Sequence, residues 1–202
     1  MKRDDALALA IAIGGPLAGG QLASLIGFKS IFGWYKRLKK PSWNPPNWMF
    51  GAVWPLLYTS QGVASWLVWR NKGADRKLPL ALYGAQLALN FAWQPLMFKA
   101  HRPDLALVDS TAMLGLATAA TVAMSKAAGD KKAAVVGLMS PYLAWITFAT
   151  ALNARIWKDN PNAQDIDDTP VDPPGEPTTA AKVMDAVVAT TTKATKDLLG
   201  YK

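Results

Sequence analysis

Long stretches without charged side chains constrain the fold of this chain more than any other feature of its sequence. The uncharged stretches are residues 6–27, 41–69, 78–98 and 133–154, and a fifth stretch, 105–125, contains only Asp109. Each is long enough for a membrane-spanning helix, which needs about 20 predominantly apolar residues. The helices of a soluble bundle would carry polar outer faces, which these stretches lack. The sequence therefore predicts an all-α, polytopic membrane protein, with helices near residues 6–27, 47–70, 79–100, 104–126 and 133–157.

The net charge of +8 comes from Lys and Arg residues in the loops that flank the apolar stretches. Cations in such loops meet lipid headgroups and do not form one basic patch, so we expect no nucleic-acid partner. The two sides of the predicted bundle receive equal numbers of cations, so the charge distribution does not orient the chain in the membrane. The chain has no cysteine, which excludes disulfides and thiol chemistry.

The segment that follows the first predicted helix is basic, proline-broken and rich in tryptophan. Six of the nine tryptophans lie between Trp34 and Trp69. Proline disfavours helix in the residue before it, so Pro41, Pro45 and Pro46 predict an extended or turned loop. With Trp43 as apolar surface, this loop is expected to fold as a lid over the top of the bundle. Its rim would carry the charges of Lys36, Arg37, Lys39 and Lys40.

Three helix faces with aromatic and amide side chains predict a ligand pocket inside the bundle. Residues at helical spacing form these faces: Trp54, Tyr58, Gln61 and Ser65 on the second helix; Gln86, Asn90, Trp93 and Gln94 on the third; and Trp145, Phe148, Ala149 and Leu152 on the fifth. Amides are costly in a bilayer and should face the bundle interior. Such a cavity suits a flat, mostly apolar ligand with a polar edge. The alternative is that Gln86 and Asn90 only join neighbouring helices by hydrogen bonds.

Several separated motifs resemble one known family. They are W-Y-x-x-L-x-K-P-x-W-x-P-P at 34–46, V-W-x-x-L-Y at 53–58, L-V-W at 67–69, QLALNFAWQPLMF at 86–98 and PYLAWITFATALN at 141–153. In this order they resemble the translocator protein family, also called tryptophan-rich sensory proteins. The resemblance implies five transmembrane helices and a pocket for tetrapyrroles, sterols or synthetic aromatic drugs. It carries Tyr35, Trp54, Asn90 and Trp145 onto the family's ligand site. It also implies that the lid loop and the C-terminus share the cytosolic side.

We therefore expect a protein that binds porphyrins or other tetrapyrroles for sensing, sequestration or transport, linked to stress or tetrapyrrole homeostasis. Two alternatives stay open: light- or oxygen-dependent porphyrin degradation through Trp54 and Trp145, and transfer of cholesterol or another lipid. The single histidine, His101, lies in a predicted loop, so the bundle offers no axial histidine to haem iron. The expected ligand is a metal-free or haem-like tetrapyrrole held by stacking and hydrogen bonds, with no required cofactor and no metal site.

The sterol alternative has weaker sequence support. The stretch from Leu152 to Lys158 lacks the tyrosine of the sterol pattern found in animal members of the family. Lys77, Tyr83 and Leu87 fit the reversed form of that pattern, a short motif of low specificity.

The domain organisation follows from a change of composition after the last predicted helix. Residues 1–158 would form the transmembrane domain. Residues 159–202 would form an acidic, Pro-rich linker to about residue 177, then a weak surface helix or a disordered tail. Small residues recur every fourth position in three helices, which suits close packing within the monomer or the seam of an expected homodimer. The expected membrane is the mitochondrial outer membrane in a eukaryote, with the ER or another endomembrane as the alternative, and the cell membrane in a bacterium.

Overall fold

The computed structural model describes residues 3–171, which are helical with no β-strand. Seven α-helices occur in this range: α1 (Arg3–Ile26), α2 (Phe28–Phe32), α3 (Trp34–Arg37), α4 (Asn47–Arg70), α5 (Lys77–Gln94), α6 (Pro103–Ala127) and α7 (Lys132–Asp159). The five long helices overlap the five predicted ranges. The short helices α2 and α3 lie in the predicted lid, which we define as residues 28–46. The predicted tail helix or disordered segment at 178–202 lies outside the described residues.

The third long helix departs from its predicted range at its C-terminal end. Its α-helical part ends at Gln94 and continues as a π-helix over Pro95–Lys99. Pro95 has no N–H, and its ring clashes with the carbonyl one turn earlier, so the regular ladder stops there. The wider turn closes instead with a 2.9 Å bond from the Ala100 N–H to the Pro95 carbonyl.

Three segments of the described chain are long and apolar enough to cross a membrane: α1, α6 and the stretch Gly129–Asp159, which contains α7. This is fewer than the five spans predicted from the absence of charge. α4 is as long as α1, but several of its residues are uncharged and polar. α5 has 18 α-helical residues and begins at Lys77. α4 and α5 are thus less apolar than the other three long helices.

The five long helices form a closed ring. α6 packs between α5 and α7, α4 packs against both α7 and α1, and α1 also contacts α5. α1 and α4 approach closely at Gly62, where an added Cβ would lie 2.4 Å from the Ala12 carbonyl oxygen. On the outer surface, large apolar side chains such as Leu7, Ile11 and Leu56 are exposed, as expected for helices that face lipid.

The buried side chains form two clusters. One lies along the bundle axis between α4, α5, α6 and α7 and includes the fully buried Tyr142. The other joins the lid to the ends of the long helices through Trp34, Tyr35, Phe98 and Leu152. The second cluster therefore fixes the lid to one end of the ring.

Residues 160–171, named the strap here, continue from the end of α7 along the lid. They were predicted to belong to an exposed linker. Most of their side chains are exposed or half-buried, but Asn160 and Ala163 are buried. The backbone N–H of Val171 also donates to the Phe32 carbonyl over 3.1 Å. The described part of the linker thus packs on the lid, which its composition did not predict.

Candidate ligand-binding site

An apolar groove lies between α4 and α7 beneath the lid. It is open on one side, has a volume of about 390 Å³ and is lined by Pro45, Met49, Val53, Leu57, Pro141, Ala144, Trp145 and Phe148. Aromatic rings meet at its edge: the centroid of Trp145 lies 5.7 Å from those of Phe50 and Phe148, and Trp43 lies 5.6 Å from Phe148. The indole N–H of Trp145 is buried and has no hydrogen-bond partner among the described residues. The groove thus combines apolar walls with one unused donor.

The structure brings part of the predicted ligand site to this groove. Pro45, Trp145 and Phe148 line it, and Trp43 covers Phe148 from the lid. Ala149 is half-buried on α7, and Pro46 is exposed at the start of α4. A second cavity of about 510 Å³ lies between α1, α4 and α5 at the opposite end of the bundle, and Ser65 is its single residue from the predicted pocket faces.

A second part of the predicted site lies under the lid, in the cluster against which Phe148 of the groove packs. Tyr35 and Leu152 are buried in the lid cluster, and Trp93 packs against it. The Trp93 indole donates to Asn153 Oδ1 over 2.9 Å. These side chains hold the lid and the helix ends together in the structure.

The predicted amides and tyrosine form a continuous hydrogen-bonded network inside the bundle. Tyr58 Oη donates to Asn90 Oδ1 over 2.6 Å, and Trp54 stacks on the Tyr58 ring at 5.3 Å. Tyr142 Oη donates to Gln86 Oε1 over 2.5 Å, and Gln86 Nε2 donates to Gln61 Oε1 over 3.0 Å. The amides face the interior, which agrees with their cost in a bilayer. In this arrangement they bond to other helices, and a direct contact with ligand stays a prediction.

Tyr35 fixes the lid on its inner side. Its hydroxyl donates to Asn44 Oδ1 over 3.1 Å, and its ring lies 5.5 Å from Phe98. Burial raises the pKa of Tyr35 to about 12, because the charged phenolate would be desolvated there, while the bond to Asn44 acts in the opposite direction. The phenol is therefore neutral at physiological pH.

The four lid cations have different surroundings. Lys36 Nζ donates to the Val171 carbonyl over 3.2 Å, and Arg37 is 3.3 Å from the carboxylate of Asp167. Lys40 Nζ donates to the carbonyls of Tyr35, Leu38 and Lys36, and burial lowers its pKa. Lys39 is exposed and bonds to the strap through its backbone. Two of the four predicted rim charges are thus directed towards the strap, and a role of the four in attracting ligand stays a prediction.

Comparison with known proteins agrees with this architecture. A model described as the TspO/MBR family matches residues 10–158, most of the chain. The chain belongs to the TspO/MBR family. Translocator protein from Homo sapiens is 42% identical over 146 residues, covering 69% of this chain and 84% of the relative. Tryptophan-rich protein TspO from Archaeoglobus fulgidus is 36% identical over 151 residues, covering 75% and 95%.

Membership of the TspO/MBR family, together with the long apolar helices, identifies an integral membrane protein. It supports a role in ligand binding or transport at the membrane. The match ends at residue 158, so the strap lies outside it.

Sequence reasoning missed several residues that shape this TspO/MBR site. Tyr142 connects Asn90 to Gln86, and the signal for it was its place one turn before Trp145 on the same face of α7. Trp34 is fully buried, and His101 stacks on it with ring centroids 4.6 Å apart. No local sequence pattern indicates the contact between these two rings, because the residues are far apart in the chain.

Proposed function

We propose that this protein binds porphyrin-type tetrapyrroles in the groove beneath its lid, for sensing, sequestration or transport. We further propose that all five long helices cross the membrane. The observation that carries the binding proposal is the Trp145 indole, whose buried N–H has no partner among the described residues while its ring lies against an apolar groove. A buried donor without a partner is unfavourable, and a ligand with an acceptor at that position would satisfy it.

The chemistry of a porphyrin fits these surroundings. Its flat macrocycle would pack against the rings of Trp145, Phe148 and Trp43, which prefer offset or edge-to-face contacts. Its peripheral carboxylates would reach the basic lid, where the exposed ammonium of Lys39 can attract them during association. Metal coordination by the bundle is not required, since stacking and one hydrogen bond supply both the contact area and the orientation.

A titration with protoporphyrin, followed by quenching of tryptophan emission in uncharged detergent, tests this proposal. Wild-type protein should bind, and Trp145→Phe should bind about three- to tenfold more weakly, as expected for one lost hydrogen bond of about 1 kcal/mol. Trp66→Phe is the matched control, because the Trp66 indole donates to the Asp5 carbonyl at the opposite end of the bundle. Equal affinities for all three proteins would refute the assigned role of Trp145, and no binding by the wild type would refute the function.

The same titration with cholesterol separates sterol binding from porphyrin binding. Under illumination and oxygen, loss of porphyrin absorbance in wild type but not in Trp54→Phe would support degradation.

The identity of the membrane and the homodimer stay predictions. A dimer seam would be expected on the exposed small residues Gly84 and Ala88 of α5, where an added Cβ at Gly84 meets no atom within 4 Å.

A further inference from the structure

The strap clamps the extended part of the lid through Asn160. Its Oδ1 accepts from the Lys39 N–H over 2.9 Å, and its Nδ2 donates to the Lys39 carbonyl over 2.9 Å. Nδ2 also donates to the Ile156 carbonyl in the last turn of α7 over 2.7 Å. Asn160 is buried, and its bond to the Ile156 carbonyl is buried as well, whereas the two bonds to Lys39 are partly buried. The clamp therefore ties the end of α7 to a lid residue that lies four positions before Trp43.

A second group of contacts holds α2 and α3 against the strap. The Trp34 indole donates to the Ala163 carbonyl over 2.7 Å. The carboxylate of Asp168 accepts from the Trp34 N–H over 3.2 Å and from Ser30 Oγ over 2.9 Å. The same carboxylate lies 3.8 Å from His101 Nε2, in the loop before α6. Hydrogen bonds to an ionised acceptor are about twice as strong as neutral ones, so Asp168 is the main anchor of this group.

Gly33 permits this close approach. It lies between α2 and α3, and an added Cβ would be 2.2 Å from the Asp168 carbonyl oxygen and 2.7 Å from its carbonyl carbon. Both are backbone atoms, so no side-chain rotation could relieve the clash. Any other residue at this position would displace the strap from the lid.

We infer that the strap is a latch that holds the lid over the groove and limits the rate at which ligand enters and leaves. This inference rests on the proposed function, because it concerns regulation of the same site. The lid residues that the strap fixes lead directly to Trp43, whose ring packs on Phe148, and to Pro45, which lines the groove. The strap lies beyond the part of the chain that matches the family model, which ends at residue 158.

The structural half of the test measures strap release. The chain has no cysteine, so Ala163→Cys introduces a single thiol at a buried strap position. Maleimide labelling of this thiol should become about tenfold faster when Gly33→Ala is added, as expected for loss of a charge-assisted bond. Gly14→Ala is the matched control, because its Cβ would meet no atom within 4 Å. Asp168→Asn, which keeps the side-chain size, replaces Gly33→Ala if that variant does not fold.

The functional half measures the lid and the ligand. In the released variant, amide hydrogen exchange of residues 42–44 should accelerate, and the on-rate and off-rate of protoporphyrin should both rise about tenfold. If labelling shows that the strap is released, but hydrogen exchange of the lid and the protoporphyrin rates are unchanged, the latch is refuted. The proposed function would still stand in that case. If wild-type protein does not bind protoporphyrin, the proposed function fails, and hydrogen exchange of the lid still decides whether the strap holds it. Unchanged labelling in both Gly33→Ala and Asp168→Asn would also overturn the inference.

Discussion

Asn90 shows how a single side chain can join most of the bundle. It lies on α5, accepts from Tyr58 of α4, and directs its amide nitrogen to Met113 Sδ of α6 at 3.4 Å and to Tyr142 Oη of α7 at 3.5 Å. An amide at membrane depth needs such partners, because lipid offers none. The short Tyr58 bond is the strongest of the three by geometry.

We expect Asn90→Leu to destabilise the folded bundle by about 1–3 kcal/mol, because the Tyr58 hydroxyl would lose its acceptor in a buried site. Thermal unfolding in detergent measures the effect. Adding Tyr58→Phe to Asn90→Leu removes the hydroxyl that has lost its acceptor. The double variant should therefore lose less free energy of unfolding than the two single variants lose in sum. Strictly additive costs would show that the two side chains are not coupled.

Tyr35 should titrate at unusually high pH. Its pKa rises from 10.0 in the unfolded chain to about 12 in the folded protein, because burial disfavours the phenolate. The fold therefore favours the neutral phenol, and its contribution to stability is complete below pH 10 and disappears as pH rises through about 12. Phenolate absorbance in the ultraviolet is measured against pH for wild type and Tyr35→Phe. The difference between the two curves is the titration of the Tyr35 phenol. A midpoint near 10 in that difference would contradict the buried position of Tyr35.

For single residues, the sequence predicted the direction of a side chain better than its hydrogen-bond partners. The inward direction of Gln86 and Asn90 follows from their polarity and helical spacing. Their bonds to Tyr142 depend on the rotation and height of α7 relative to α5, which no local pattern determines. Trp34 was predicted to belong to a tryptophan-rich cover, but its contacts with Ala163 and His101 bring distant segments together.

Helices are the part of the fold that the sequence predicts most directly. α4 spans Asn47–Arg70 as predicted, because Pro46 precedes it and a charged residue ends it. The π-helix after α5 begins at Pro95, which predicts an interruption of the α-helix, and its Phe98 is buried in the cluster under the lid. The short helices of the lid have too few residues to give a periodic signal.

The packing of α1 on α4 depends on Gly62. We expect Gly62→Ala to destabilise the protein by about 1–3 kcal/mol, because its methyl group would overlap the Ala12 backbone and push the helices apart. Gly115→Ala is the matched control in α6, where no atom lies within 4 Å, and it should be neutral or stabilising by up to about 1 kcal/mol. Thermal unfolding of both variants in one detergent checks this. Equal melting temperatures would mean that the α1–α4 contact contributes little.

For the whole molecule, the number of membrane crossings fixes which loops share a side. If all five long helices cross, the α4–α5 loop lies opposite the lid. If α1, α6 and α7 alone cross, that loop lies on the same side as the lid. Single-cysteine variants of the protein in sealed vesicles test this with a membrane-impermeant maleimide. Lys72 and Lys39 are both exposed, so Lys72→Cys and Lys39→Cys should both react. If all five helices cross, they should react from opposite sides of the membrane. Lys131→Cys, in the loop before α7, should label from the same side as Lys72→Cys. Labelling of Lys72→Cys and Lys39→Cys from one side would exclude five crossings.

The packing of the strap on the lid is the part of the whole molecule that the sequence did not predict. Its aspartates and prolines are typical of a solvated linker, and most of its side chains are indeed exposed or half-buried. It packs on the lid through the side chains of Asn160 and Asp168. Backbone carbonyls contribute as well, such as those of Ala163, Thr169 and Val171. Every residue carries such groups, so composition does not show when a segment will use them.

The separation between Asp168 and the groove has an evolutionary consequence. The groove is built from α4, α7 and Pro45, whereas the Asp168 anchor contacts α2, α3 and the loop before α6. Substitutions at Asp168 can therefore change how firmly the lid is held without changing any residue that lines the groove. Under this arrangement, two descendants of one ancestor could keep the same ligand preference and the same affinity, yet diverge in how quickly they respond to a change in ligand supply.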